Sequence, residues 1–294
     1  PRVLLTFGAM FGPFIADGEY WRLFTAMFLH VGWVHLALNG LGLIIFGRLV
    51  EQVYGHVRFA IIYLLSGLTG SVASYLLNSI SIGAGASGAI FGVLAALAAY
   101  FVARRDLLGE SGRQNLTGIL VLAAINLVFG LLNSGIDNWA HIGGFASGFL
   151  IGLVLTPRYE SINKSSLYTE RKTDINTLVK RWWIIPIITI VLFICTWFGI
   201  QNIPDNAQSR IHSAEQYLKQ NKHEEALTDI QKALDLNPSL GRAYYIHGLI
   251  LQSLGDKDKS RGELFKAIAI AEHNGDAQTV KEARQTLMSN NTKR

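Results

Sequence analysis

The sequence predicts an all-α protein in two parts, a polytopic bundle of membrane-spanning helices followed by a small helical repeat domain. Three observations carry this. Half of the 294 residues are hydrophobic and only 16% are charged, against about 25% in an ordinary soluble domain. The charge is uneven: residues 201–294 hold 13 Lys+Arg and 12 Asp+Glu, whereas residues 1–200 hold 13 and 9, set mostly between long apolar runs. The last hundred residues also repeat a pattern of small and large positions with a period of 34. This composition excludes a soluble enzyme, a disordered chain and a disulfide scaffold. A lone Cys195 leaves no intrachain bridge to form.

Six apolar runs approach the ~20 residues needed to cross ~30 Å of hydrocarbon. They fall near 33–52, 57–79, 86–103, 115–134, 137–155 and 182–200. Basic loop residues set their direction. One side holds Arg2 and Arg22 before residue 200; the other holds Arg48, Arg58, Arg104, Arg105, Arg113, Arg158, Lys164, Arg171, Lys172, Lys180 and Arg181. Eleven against two places residues 1–30 and the C-terminal domain outside the cytoplasm. The net charge of +5 is thus topological, and no nucleic-acid footprint is visible. Pro1 is not a start Met and no signal peptide precedes it, so an earlier span is expected upstream.

Polar side chains inside a span are expensive and mark function. His35 and Asn39 stand in the first span, Ser87 in the third and His141 in the fifth. These spans all run inward, and each residue falls in the first two turns of its own. All four therefore share one depth, within about 10 Å of the outer end at 1.5 Å per residue. His35 and Asn39, four apart, project from one face. Gly88, Gly92 and Ala96 form a small-residue stripe on span three, and Ala140, Gly144, Gly148 and Gly152 form one on span five. Such stripes let helix backbones touch and can bring Ser87 to His141 across 54 residues of sequence. Taken singly, each residue also has a plainer reading as a packing or hydrogen-bonding group.

Together they suit acyl transfer. A Ser hydroxyl is a weak nucleophile, and a neutral His is the base it needs. Ser87 opens a helix, where unpaired backbone N–H groups and the helix dipole favour an oxyanion; Asn39 and His35 add side-chain donors. Phe91, one turn below Ser87, is placed to stack on the imidazole, or else is a core or lipid-facing aromatic. Asp137, four before His141, either orients it or caps span five, and capping is the expectation. A dyad is predicted, with no metal and no cofactor.

The stretches G-A-S-G at 85–88, A-H-I-G-G at 140–144, E-Y-W-R-L-F-T-A-M-F-L-H at 19–30 and H-L-A-L-N at 35–39 resemble the signature of rhomboid intramembrane serine proteases, over roughly residues 1–156. The resemblance implies a rhomboid-like bundle and a Ser87–His141 dyad. It also implies an oxyanion site of His35, Asn39 and the Ser87 amide, and cleavage of membrane-anchored proteins near small residues. Gly85, Gly88, Phe91, Trp21 and Arg22 would support that site. Trp21 and Arg22 match the family's large loop after its first span, so that span is the one this chain lacks. Glu51 matches an acid at the inner end of the next span.

Residues 157–181 read as a basic cytoplasmic linker and 182–200 as an additional span carrying an extracytoplasmic domain at 201–294. Ala214, Tyr217, Ala226, Ile230, Ala233 and Pro238 fit the tetratricopeptide pattern; Gly248, Leu251, Ser260, Leu264 and Ala267 repeat it less strictly. A further helix at about 276–289 would cap the stack. His212, His223, His247 and His273 are scattered over different helices and predict no metal site. The expected protein is a multi-pass membrane endopeptidase of bacterial type in the cell membrane. Its partners would be the lipid bilayer, membrane-protein substrates, and a peptide or protein bound by the repeats. The alternative is a catalytically silent membrane adaptor acting through the repeats. A transporter would need an inverted repeat and paired midplane charges, and neither is seen.

Overall fold

The computed structural model describes residues 2–79, 81–133, 135–161, 172–201 and 207–291. The chain forms two compact units, Pro1–Ile203 and Pro204–Arg294.

In the first unit, apolar sequence becomes helix wherever it is long enough to satisfy its own backbone in lipid. Five described helices are long and apolar enough to cross a membrane, which defines a multi-pass membrane protein. These are α1 (Gly32–Tyr54), α2 (His56–Leu77), α4 (Arg105–Leu132), α5 (Asn138–Leu155) and the stretch Leu178–Gln201, whose main helix, α6, is Ile184–Gln201. Between α2 and α4 lies α3 (Ser87–Ala103), apolar but only 17 residues long. At 1.5 Å per residue it measures about 25 Å, short of the ~30 Å hydrocarbon core. It is also the innermost helix: every residue from Gly88 to Ala99 is buried. A helix apolar on all sides belongs there, and its Gly and Ala content lets neighbours close in.

The connections follow local chemistry. One π-helical stretch interrupts α1 at Leu43–Gly47. Gly109 near the start of α4 has φ 54° and breaks its first turn from the rest. Asp137 caps α5, its carboxylate accepting the Ala140 N–H. The Tyr54 hydroxyl, buried at the end of α1, donates to the Ala96 carbonyl at 2.8 Å and lies 3.1 Å from Thr156 Oγ1. It thereby ties α3 to the end of α5.

The described residues of the linker carry a pair of short strands. Tyr159–Ser161 (β1) pairs antiparallel with Lys172–Asp174 (β2), a small β addition to an otherwise helical chain. Lys164 and Arg171 lie outside the described residues. Asp174 fastens the hairpin to α2: Oδ2 accepts from Arg58 Nη2 at 2.5 Å, and Oδ1 accepts the N–H groups of Arg158 and Asn176, each at 2.9 Å. Asn176 donates to the carbonyls of Val154 and Thr156 at 3.0 and 2.7 Å, and its own amide oxygen accepts from Arg181 Nε at 2.6 Å. Burial by itself would raise the Asp174 pKa; the Arg58 hydrogen bond, the two backbone N–H groups and the Arg58 charge outweigh it and hold the carboxyl below its ordinary value. A depressed carboxylate contributes stability above its unfolded pKa and loses it as pH falls through the folded one. Asp174→Asn should therefore lower stability by about 1–3 kcal/mol at pH 7. The gap to wild type should close below about pH 4, measured by thermal unfolding in detergent across pH. A gap that is constant with pH would count against the ion pair.

The described residues of the second unit form five helices: α7 (Ala207–Lys219), α8 (His223–Leu236), α9 (Gly241–Ser253), α10 (Lys257–His273) and α11 (Ala277–Asn291). Most of the predicted small and large positions face inward: Ala214, Ala226, Ile230, Ala233, Leu264 and Ala267 are fully buried, whereas Tyr217 is half-buried and Pro238 is exposed. Ser260, at a small-residue position, donates its hydroxyl to the Gly248 carbonyl at 2.7 Å. This small residue therefore also cross-links a helix pair. α11 supplies fully buried Thr279 and Ala283 while its Met288 stays exposed, so it closes the apolar core on one side.

Candidate active site

The site begins with a strained approach to α3. Ser79 and residues 81–86 are pinned by backbone hydrogen bonds to the N-terminal region: Met10 and Gly83 exchange two bonds of 2.9 Å, Gly12 N–H donates to Ser79 O at 2.8 Å, and Gly85 N–H donates to Ala26 O at 2.9 Å. Gly85 has φ +147°, a conformation that side chains resist, and a Cβ there would sit 3.0 Å from His35 Nε2 and 3.8 Å from Asn39 Nδ2. Glycine thus serves twice at this position, turning the chain and leaving space beneath His35 and Asn39.

Ser87 is the first residue of α3, with Ala86 as its N-cap. Its Oγ lies 2.8 Å from His141 Nε2. The buried His141 ring is stacked flat on Phe91, with centroids 4.2 Å apart and planes 8° from parallel. If Nε2 accepts the Ser87 proton, the ring hydrogen resides on Nδ1, and Nδ1 is buried without a hydrogen-bond partner among the described residues. Among the described residues no carboxylate is bonded to it there. The carboxylate of Asp137 is engaged elsewhere, with Ala140 N–H and with the hydroxyl of Ser74.

His35 and Asn39 stand on one face of α1, above Gly85. His35 Nδ1 accepts the Val31 N–H at 3.3 Å, which leaves the hydrogen on Nε2 as a donor. Asn39 is buried, and its Nδ2 has no acceptor among the described residues. Two unspent donors therefore point into the space that Gly85 vacates, near the N-terminal turn of α3.

The helix contact that joins the two halves is as tight as the small-residue stripes demand. A Cβ on Gly144 would overlap the Gly88 carbonyl, one on Gly148 would overlap the Gly92 carbonyl, and one on Gly88 would lie 3.1 Å from the Ala140 carbonyl. Backbone meets backbone along α3 and α5, and this sets the Ser87–His141 distance.

Trp21 and Arg22 lie outside this constellation. Arg22 is buried and binds Glu19 Oε2 at 2.6 Å, Leu5 O at 2.6 Å and Ala9 O at 3.1 Å. Its guanidinium lies over Phe14 and Trp21 at 4.3 and 4.7 Å. It shapes residues 5–22, and the Met10–Gly83 pairing carries that shape to the loop before Ser87. Glu51 is bonded to exposed His56 at 2.5 Å, away from the site. Two features were missed by sequence reasoning. His30 stacks edge-on against His35 at 5.3 Å, and its spacing of five from His35 was the available signal. The Ser74–Asp137 bond had none, because a Ser in a small-residue helix looks like packing. Among the described residues no group of three or more His, Cys, Asp or Glu side chains is placed to hold a metal ion.

A buried helical membrane bundle with a Ser–His pair at the start of its central helix defines the class of protein. Residues 17–158 match the rhomboid domain, and residues 207–240 match the tetratricopeptide repeat. The chain is 45% identical over 154 residues to "Rhomboid protease GluP" of Bacillus subtilis (strain 168), covering 52% of this chain and 30% of that protein. It is 43% identical over 148 residues to "RHOMBOID-like protein 1" of Arabidopsis thaliana, covering 50% and 38%. It is 32% identical over 147 residues to "Putative rhomboid protease YdcA" of B. subtilis, covering 50% of this chain and 72% of that protein. This chain belongs to the rhomboid family. It spans about a third of the length of the first two relatives.

Proposed function

We propose that the protein is an intramembrane serine endopeptidase that cleaves membrane-anchored proteins with Ser87 as nucleophile and His141 as base. The observation that carries this is the 2.8 Å Ser87–His141 contact with the imidazole stacked on Phe91. Two relatives bear protease names, which supports the same reading.

His141 Nε2 takes the Ser87 proton as Oγ attacks the scissile carbonyl carbon. The carbonyl π bond opens onto oxygen, and the oxyanion lies among His35 Nε2–H, Asn39 Nδ2–H and the Ser87 N–H. Collapse expels the amine, which leaves with the proton from His141, and an ester remains on Ser87. Water then gives its proton to His141 and attacks the ester; collapse releases the acid, and the proton returns to Ser87 Oγ. Donors held in place before charge develops cost no reorganisation when it does. The shortness of α3 starts this chemistry below the membrane surface, on the face opposite the eleven basic residues. That orientation puts the repeat unit outside the cytoplasm of a cell membrane, where it recruits substrates or partners. The domain limits follow as a protease core at 1–156, a linker at 157–181, a further span at 182–200 and the repeats at 201–294.

The test is cleavage of a panel of tagged single-span substrates by purified protein, with and without residues 201–294. Cleavage near small residues is expected from both forms. Loss of the repeats should raise KM for a subset of substrates and leave kcat within about twofold, because uniform binding alone is removed. Absence of cleavage across the panel, with Ser87 inert to a fluorophosphonate, would leave the adaptor reading in its place.

A further inference from the structure

We propose that Asp137 and Ser74 are positioning residues for His141, acting through the first turn of α5 and not as members of a proton relay; the inference rests on the assignment of Ser87 and His141 as a catalytic pair. Asp137 distributes its oxygens among separate partners. Oδ1 accepts the Ala140 N–H at 3.1 Å, Oδ2 accepts the hydroxyl of fully buried Ser74 on α2, and the main-chain carbonyl accepts the His141 N–H at 3.3 Å. One residue thus holds the backbone of both Ala140 and His141, and is itself held to α2.

The floor beneath that turn is hard. A Cβ on Gly70 would lie 2.7 Å from the Ala140 carbonyl, and one on Gly143 would lie 2.5 Å from the Ala73 Cβ. The imidazole has no comparable tether of its own. Phe91 sets its plane and Ser87 meets Nε2, while Nδ1 meets no partner among the described residues. With α3 and α5 already in backbone contact, what remains adjustable between Nε2 and Ser87 is the first turn of α5, which the Asp137 cap holds and the Ser74–Asp137 bond fastens to α2. A displacement of about 1 Å at such a contact costs on the order of 100-fold in rate.

The experiment compares Asp137→Ala, Asp137→Ser and Ser74→Ala with wild type, well below each unfolding midpoint. It reads kcat, KM, the pH profile and amide hydrogen exchange over residues 138–142. Asp137→Ala should lower kcat about 100-fold, with KM nearly unchanged and the acid limb of the profile in place. Asp137→Ser restores an N-cap acceptor and should recover most of that loss. Ser74→Ala should cost about tenfold, and exchange at Ala140 and His141 should rise in both alanine variants. A relay acid would instead leave Asp137→Ser as inactive as Asp137→Ala and shift the acid limb, overturning the proposal. So would full kcat in an Asp137→Ala protein whose only defect is a lowered midpoint. If wild-type protein neither cleaves nor reacts with a fluorophosphonate at Ser87, the protease assignment fails by itself. Exchange then decides the positioning: raised values support it and unchanged values overturn it.

Discussion

Ser87→Ala should abolish cleavage and leave the bundle folded. Removing the nucleophile of a serine hydrolase costs about 10⁶ in kcat, so residual turnover should be lost in the background. The fold has little to lose, because the half-buried Ser87 side chain makes one described hydrogen bond, to His141. A net bond of that kind is worth about 1 kcal/mol. His141→Ala should match it in activity but not in stability. The ring is buried against Phe91, and deletion forfeits a stacked pair worth about 0.5–1.5 kcal/mol in addition to leaving a cavity. The double variant should be no less active than either single one, since the two groups act as a unit. Substrate cleavage on gels, fluorophosphonate labelling and thermal unfolding in detergent separate these effects. Undiminished cleavage by Ser87→Ala would remove Ser87 from the mechanism.

The same pair shows what was legible in the sequence. Apolar runs placed five of the six spans to within about two residues, because backbone satisfaction in lipid leaves only helix as an option; α4 instead begins at Arg105, ten residues before the predicted 115, since the helix continues through polar sequence that hydropathy does not mark. Ser87 and His141 stood out because both lie near the starts of helices of like direction and each is adjacent to a small-residue stripe. The departures concern groups whose partners are backbone atoms. Arg22 reads as a loop cation, but it is buried on the carbonyls of Leu5 and Ala9, which no residue type announces. The Met10–Gly83 pairing and the β1–β2 hairpin are likewise backbone events. The shortness of α3 was itself legible, because the predicted run at 86–103 exceeds the helix Ser87–Ala103 by one residue. Asp137 was read as a cap and is one; its second bond, to Ser74, needed the fold.

Gly144→Ala should be among the most damaging single-methyl additions in the membrane unit, and its comparison with two other glycines shows why. A Cβ there enters the carbonyl of Gly88, backbone atoms that cannot swing aside as a side chain would. The helices must separate, and with them the contacts that hold α3 to α5, where packing is the main attraction available in lipid. A loss of about 3 kcal/mol or more is expected, at the upper end of overpacking costs. Gly88 follows Ser87 directly, so the same movement opens the Ser87–His141 distance, and kcat should fall by at least the 100-fold of a 1 Å misplacement. Gly148→Ala drives into Gly92 one turn further from the site. It should destabilise to a similar degree and spare more of the activity, which separates a packing defect from a catalytic one. Gly118→Ala on α4 meets nothing within 4 Å and should be neutral or gain up to about 1 kcal/mol from helix propensity. Thermal unfolding in detergent, paired with kcat at a temperature where all three are folded, orders the set. If Gly144→Ala proves as stable and as active as Gly118→Ala, the α3–α5 backbone contact is not what sets the site.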